Sequence, residues 1–236
     1  MISLFNINMN TEIDAGVRKN VVTCIGFIMD GNRRWAKQQG LSTEEGHRAG
    51  VEVFERVVRD VHEAHIPHAV FYAFSTENWR RAPEEVQSLM IIFMEVLQQR
   101  QGVRVQVIGD RSRFSQSLQQ AIKKAEEDTQ GIQETTIWIA LSYGGRAEII
   151  AAVNAVSKSG HIVTEAEFEN YLWSKEMPDP DLIIRTGGEQ RLSNFLPWQS
   201  VYSELMFTDT YWPAFTKTEF LRMLDEYEKR QRRHGV

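Results

Sequence analysis

Short apolar runs alternate with helix-period segments along this chain, and the alternation predicts an α/β domain. The expected architecture is a single domain with a mostly parallel central sheet of about six strands, flanked by helices. A second observation is that several runs end abruptly in loops pairing Gly or Asn with Arg, as strand ends do where ligands bind in open α/β sheets. A third is the lack of an internal repeat, low-complexity segment or linker, so one domain over residues 21–236 follows a loose N-terminal arm, residues 1–20.

The first strand is carried by Ile25, Phe27, Ile28 and Met29, a run with no polar alternation and therefore one buried on both faces. It stops at Asp30-Gly31-Asn32, and Arg33, Arg34 and Trp35 follow at once. Two readings of this turn stand side by side. Asp30 can hold a divalent metal while the arginines fork onto phosphate oxygens; equally, an Asp-Gly turn can simply lead into a solvated basic helix start. Residues 44–65 show helical spacing through Val51, Phe54, Val57, Val58 and Val61, and Pro67 ends that helix before a strand at His68–Phe74. The polar loop after it runs Ser75 to Pro83, which opens a helix at Glu84–Arg100 with acidic residues in its first turn. That helix has too many apolar positions for one narrow stripe, so it faces either the sheet and an apolar cavity or ordinary core on both sides. Strands are expected at Val103–Ile108 and Thr135–Leu141, separated by a helix at Phe114–Asp128, and a helix follows at Ala147–Val156. Thr164, with Glu167 three residues on, caps a short helix to Trp173. Strands at Asp181–Ile184 and Val201–Phe207 precede a charged closing helix, Lys217–Arg233.

At 236 residues with 42% hydrophobic content, the chain can bury a substantial core. A net charge of −5 argues against a nucleic-acid binder. Its one cysteine, Cys24, reads as a core residue and allows no intramolecular disulfide. No apolar stretch approaches the ~20 residues of a membrane span, and the N-terminus lacks a basic n-region, so a cytoplasmic protein is expected.

Four strand ends share one character: DGNRR, STENWRR, SYGGR and RTGGEQR. At one edge of a parallel sheet they would converge as an anion site, glycines letting backbone N–H groups approach phosphate oxygens and arginines adding bidentate contacts. There is no Walker A loop, GxGxxG, HExxH or GxSxG, so nucleotide binding, zinc-protease and serine-hydrolase chemistry are not indicated.

The blocks MDGNRRWA, FSTENW, SYGGRAEI and RTGGEQRLSNFLPWQ…YSEL resemble the signature blocks of the cis-prenyltransferases, the undecaprenyl diphosphate synthase family. The resemblance implies Mg2+-dependent condensation of isopentenyl diphosphate with an allylic diphosphate, a homodimer, an apolar tunnel beneath the polar rim, and peripheral membrane contact through the lipid product. On matching positions, Asp30 resembles the carboxylate that handles Mg2+ and the departing diphosphate. Gly31, Asn32, Arg33, Arg34 and Trp35 would wrap that group. Arg185, Arg191 and Ser193 resemble the isopentenyl diphosphate clamp, with Gly187 and Gly188 allowing close approach. Glu204 resembles a second metal carboxylate, donated at the dimer-proximal edge. His47, Ser75, Asn78 and Arg81 match the polar group that orients substrate and helps remove the proton, and Trp79 sits on a loop that closes over the site. Met90, Phe93, Met94, Ile137, Ile139 and Leu141 would line the tunnel.

Departures from the family pattern shape the expectation. Thr43 stands where Arg is usual, Gln190 replaces a His, and WRRAP leaves Arg80 and Arg81 as rivals for one role. The span from the Glu84 helix to the next strand is several residues short and Leu141 is large for its place, which implies a short- or medium-chain product. A non-catalytic partner subunit, and irregular coupling of two allylic diphosphates, are the competing readings.

Overall fold

The computed structural model describes residues 21–99 and 102–230; the N-terminal arm, Arg100 and the end of the closing helix expected at Arg233 lie outside the described residues. Six strands form one sheet: β1 (Cys24–Ile28), β2 (His68–Ser75), β3 (Arg104–Ile108), β4 (Thr136–Tyr143), β5 (Leu182–Arg185) and β6 (Glu204–Phe207). Their order is β3-β4-β2-β1-β5-β6, and every pairing is parallel. Among the described residues the α-helices are α1 (Asn32–Gln39), α2 (Thr43–Glu63), α3 (Pro83–Gln98), α4 (Gln116–Thr129), α5 (Gly145–Ser159), α6 (Glu165–Glu169) and α7 (Lys217–Lys229). β1 is buried along its whole length, as its unbroken apolar run requires.

Most boundaries shift slightly from expectation, and three of the shifts have a clear physical cause. The first strand is set one residue earlier and includes Cys24, fully buried. The helix expected to Trp173 ends at Glu169; its capping box forms, but turns replace the helix beyond Asn170. The last strand starts at Glu204, because Val201 and Tyr202 are exposed on the preceding turn despite their strand-like side chains. Apolar identity marked them, and burial did not follow.

The large core lies on the sheet face covered by α2, α3, α4 and α7, where Phe27 stacks on Phe71 at 4.9 Å and Phe54 meets Phe71 edge-on. A smaller cluster on the other face includes Ile28, Val70, Trp138, Tyr143, Ile183 and Phe195. The chain leaves central β1 toward β2 and later returns on the other side as β5. That reversal opens a crevice at the carboxyl ends of β1 and β5.

Candidate active site

Asp30 stands in that crevice, two residues past the end of β1. Thr186, just past β5, clasps its backbone: Thr186 Oγ1 accepts from Asp30 N at 3.0 Å and donates to Asp30 O at 2.7 Å. Gly31 follows at φ +108°, a conformation that disfavours a side chain, and a Cβ there would come within 2.6 Å of the Tyr211 ring. The turn swings α1 upward from the rim. No side chain caps α1, so its first N–H groups are free to face an anion.

The Asp30 carboxylate sits between two arginines. Arg185 Nη2 donates to Oδ2 at 2.8 Å and Arg34 Nη2 lies 3.1 Å from Oδ1. Arg185 is nearly fully buried and also donates to Ser193 Oγ at 2.7 Å and to the Arg191 carbonyl. Glu189 bridges onward, to Arg34 at 3.7 Å and to Arg191 at 2.5 Å. A second carboxylate, Glu85 in the first turn of α3, gathers His47 Nε2 at 3.2 Å, Arg81 at 3.0 Å and Arg33 at 3.9 Å. Burial holds the His47 imidazole below its ordinary pKa, opposed in part by Glu85 and reinforced by Arg81 and Arg33. Five arginines thus meet three carboxylates in this ion-pair network at the crevice, a surplus suited to polyanions.

This polar basin holds about 760 Å3 and is lined by Asp30 to Arg34, Lys37, Thr43, His47 and Arg81. Beneath it lies an apolar cavity of about 90 Å3, between α2, α3 and the sheet. Met29, Asn32 and His47 line both, so they mark the boundary between the polar and apolar compartments. A further apolar void of about 20 Å3 lies deeper, and Phe54, Val96 and Ile139 are shared between the two apolar spaces.

Most of the expected residues come together. Arg81 lines the basin whereas Arg80 is exposed, which separates the two rivals of the WRRAP loop. Others are placed differently. Ser75 and Asn78 cap each other's backbone in the 76–80 turn and line neither cavity. Trp35 also lines neither. Trp79 is folded inward, its Nε1 donating to Ser142 Oγ at 2.9 Å, its ring against Phe74 and Phe114 and under Arg113; the expected place above the basin is not where it lies. Gly187 and Gly188 do adopt positive φ, but their N–H groups donate to Thr210 and Thr208 carbonyls; close packing, of Gly187 against Asp30 and of Gly188 against Asp209, is their contribution rather than amide donation. Glu204 pairs across from Leu182, three positions below the rim, and binds Arg230 at 2.7 Å; the chain does not bring it to Asp30. Of the tunnel set, Phe93, Ile137 and Ile139 line the apolar spaces, and Met90, Met94 and Leu141 do not. Thr186, Glu85, Glu189 and Tyr211, over which Arg34 lies at 5.1 Å, complete the site without having been anticipated.

Among the described residues no cluster of three or more His, Cys, Asp or Glu side chains could hold a metal by itself. Asp30 alone fits a Mg2+ site of the kind completed by substrate phosphates, since Mg2+ is commonly held by one or two carboxylates plus phosphate oxygens. Each Asp30 oxygen takes one arginine contact, which leaves lone-pair capacity for such an ion.

Comparison with known proteins bears on this geometry. Residues 28–235 match the family model described as "Putative undecaprenyl diphosphate synthase". The isoprenyl transferase of Thermotoga maritima is 44% identical over 222 residues, covering 89% of this chain and 95% of that protein. A tritrans,polycis-undecaprenyl-diphosphate synthase (geranylgeranyl-diphosphate specific) of Thermoplasma volcanium is 43% identical over 226 residues, covering 89% of this chain and 88% of its own. The crystal structure of lavandulyl diphosphate synthase from Lavandula x intermedia, in complex with dimethylallyl diphosphate, superposes with a TM-score of 0.86 at 34% identity. That match covers 91% of this chain and 98% of the other. The parallel-sheet fold and these likenesses define a prenyltransferase enzyme. The chain belongs to the undecaprenyl diphosphate synthase family of isoprenyl transferases.

Proposed function

We propose that this enzyme condenses isopentenyl diphosphate with an allylic diphosphate, geranyl or farnesyl, to form a Z-polyprenyl diphosphate. The observation that carries the reading is the stacking of a cationic basin directly on an apolar cavity, joined at Met29, Asn32 and His47. Diphosphate heads belong in the first, isoprenoid tails in the second, and the carbons that react lie at the joint.

In this reading the α1 N-terminus, Arg33 and Arg34 bind the allylic diphosphate, and Arg185, Arg191 and Ser193 hold that of isopentenyl diphosphate. Asp30, between the two groups, would hold Mg2+ against phosphate oxygens. When bound, Mg2+ supplies charge that stabilises the leaving diphosphate. Arg34 and Arg185 start the cycle paired with Asp30 and are placed to turn their remaining N–H groups to incoming phosphate. The apolar cavity excludes water from the allylic carbon as its C–O bond breaks. The new C–C bond forms there, and a proton then leaves the isopentenyl carbons. His47, held neutral by burial, faces that joint.

Product length follows the same geometry. A cavity this small, divided from the deeper void by Phe54, Val96 and Ile139, favours a short or medium chain. A homodimer suits the outward-facing Ile150 and Val153 of α5 and the nearby Val201 and Tyr202, linked through the Gln199–Glu148 hydrogen bond. Light scattering on purified protein is expected to give twice the chain mass.

The test separates condensation from coupling of two allylic units. The enzyme is supplied with Mg2+ and allylic diphosphate, with and without labelled isopentenyl diphosphate, and diphosphate release is followed. Release that requires both substrates, with label in the product, is expected. Release and joined product from the allylic substrate alone would replace this reading with irregular coupling.

A further inference from the structure

Glu85 stands behind the site, and none of the sequence motifs singles it out. Its carboxylate is mostly buried and collects three cationic or basic side chains from three different elements: His47 of α2, Arg81 of the loop before α3, and Arg33 of α1. All three line the polar basin beside Asp30, and His47 lines the apolar cavity as well. A carboxylate accepting at Nε2 selects the tautomer in which that nitrogen carries the proton. A neutral imidazole then has its lone pair on Nδ1.

We infer that Glu85 is a positioning residue: it fixes His47 as the Nε2–H tautomer at the joint of the two compartments and holds Arg81 and Arg33 over the basin. The assignment of a proton-accepting role to His47 rests on the proposed condensation; the tautomer and its dependence on Glu85 do not. The bare Nδ1 is the atom able to take a proton from the isopentenyl carbons, forming an imidazolium whose charge Glu85 balances. An aliphatic residue at position 85 would leave His47 free to rotate and two arginines to repel each other across the vacated space.

The groups around His47 set the direction of the pH effect. Arg33 from α1, Arg81 from the preceding loop, and burial all favour the neutral ring; Glu85 from α3 alone opposes them. Removing its charge lowers the pKa of His47 further, so the acidic limb of the pH–rate profile moves to lower pH. A residue that only packs would leave that limb in place.

The experiment uses Glu85→Ala and Glu85→Gln in the full chain. Nitrogen-15 NMR of the histidine rings reads the tautomer and titration of His47 directly, whether or not turnover is seen. Expected are Nε2–H in the unaltered enzyme and a lower His47 pKa in Glu85→Gln. In kinetics, Glu85→Ala should lose roughly 10- to 100-fold in kcat, the size of an Å-scale misplacement. Its KM for the allylic diphosphate should change less than kcat, because Arg33 and Arg81 lose the carboxylate that holds them but also its competition for their charge. Glu85→Gln, which keeps an acceptor for Nε2–H, should recover most of the loss yet show the shifted acidic limb. An Nδ1–H tautomer, or a His47 titration unmoved by Glu85→Gln, overturns the inference. So does a rate loss matched by a raised KM and lower Tm with no limb shift. An unaltered enzyme that forms no condensation product refutes the proposed reaction instead, and the NMR result still decides the role of Glu85.

Discussion

At Asp30 one carboxylate answers two arginines while its backbone is clasped by Thr186 and by Trp212 N, which donates to Asp30 O at 3.0 Å. Asp30→Ala should therefore do two separable things. Turnover should fall by about 10²- to 10³-fold or more, because the charge that organises metal and leaving group is lost. Stability should fall by only about 1–3 kcal/mol, since Arg185 loses one partner and keeps Ser193 and the Arg191 carbonyl. Steady-state kinetics beside thermal melting checks both, and near-normal turnover would remove Asp30 from its assigned role. The residues legible in advance were those where a motif marks both identity and place: Asp30, Arg34 and Arg185 each stand at or just past the end of a strand, whereas the sequence left Arg80 and Arg81 as rivals. Glu85 carried only the signal of an acidic first turn. Its partners lie 4, 38 and 52 positions away in the chain, and no spacing rule joins them. Gly187 and Gly188 show the reverse error. Their role in close approach was readable, but the carbonyls that consume their N–H groups come from residues 208–210.

At the scale of elements, the site depends on how closely α1 lies on α2. Gly46 makes this contact: a Cβ there would stand 2.6 Å from Asn32 O and 2.7 Å from Ala36 Cβ. Propensity alone favours Gly46→Ala by about 1 kcal/mol within a helix. Overpacking against backbone costs about 1–3 kcal/mol and displaces the N-terminus of α1, so the clash wins. A lower Tm with reduced turnover is expected; a raised Tm would show that α1 yields without cost. Helix starts were legible because their chemistry is local: Pro83 opens α3, and Thr164 with Glu167 forms the capping box of α6. Strand β6 was misjudged at its start because Val201 and Tyr202 have strand-like side chains on a turn. Only tertiary burial tells the two apart.

For the whole molecule, the sheet order could be narrowed from the sequence but not fixed, because alternation implies parallel strands without saying on which side of β1 the chain returns. That return creates the crevice. The apolar space beside it takes its walls from α2, α3 and β4, among others. Val96 lines both apolar spaces on the half-exposed side of α3, so Val96→Ala should join them at a cost of about 1 kcal/mol. Products longer by chromatography are the expected outcome, and an unchanged distribution would place the length limit elsewhere. Among the described residues no helix is long and apolar enough to cross a membrane.

The most direct measurement is a sized product analysis of the unaltered enzyme with Mg2+, labelled isopentenyl diphosphate and either geranyl or farnesyl diphosphate. Label is expected in a ladder of Z-polyprenyl diphosphates that ends early, with none incorporated after chelation of the metal. Folded protein that incorporates no label with either primer would contradict the proposed condensation.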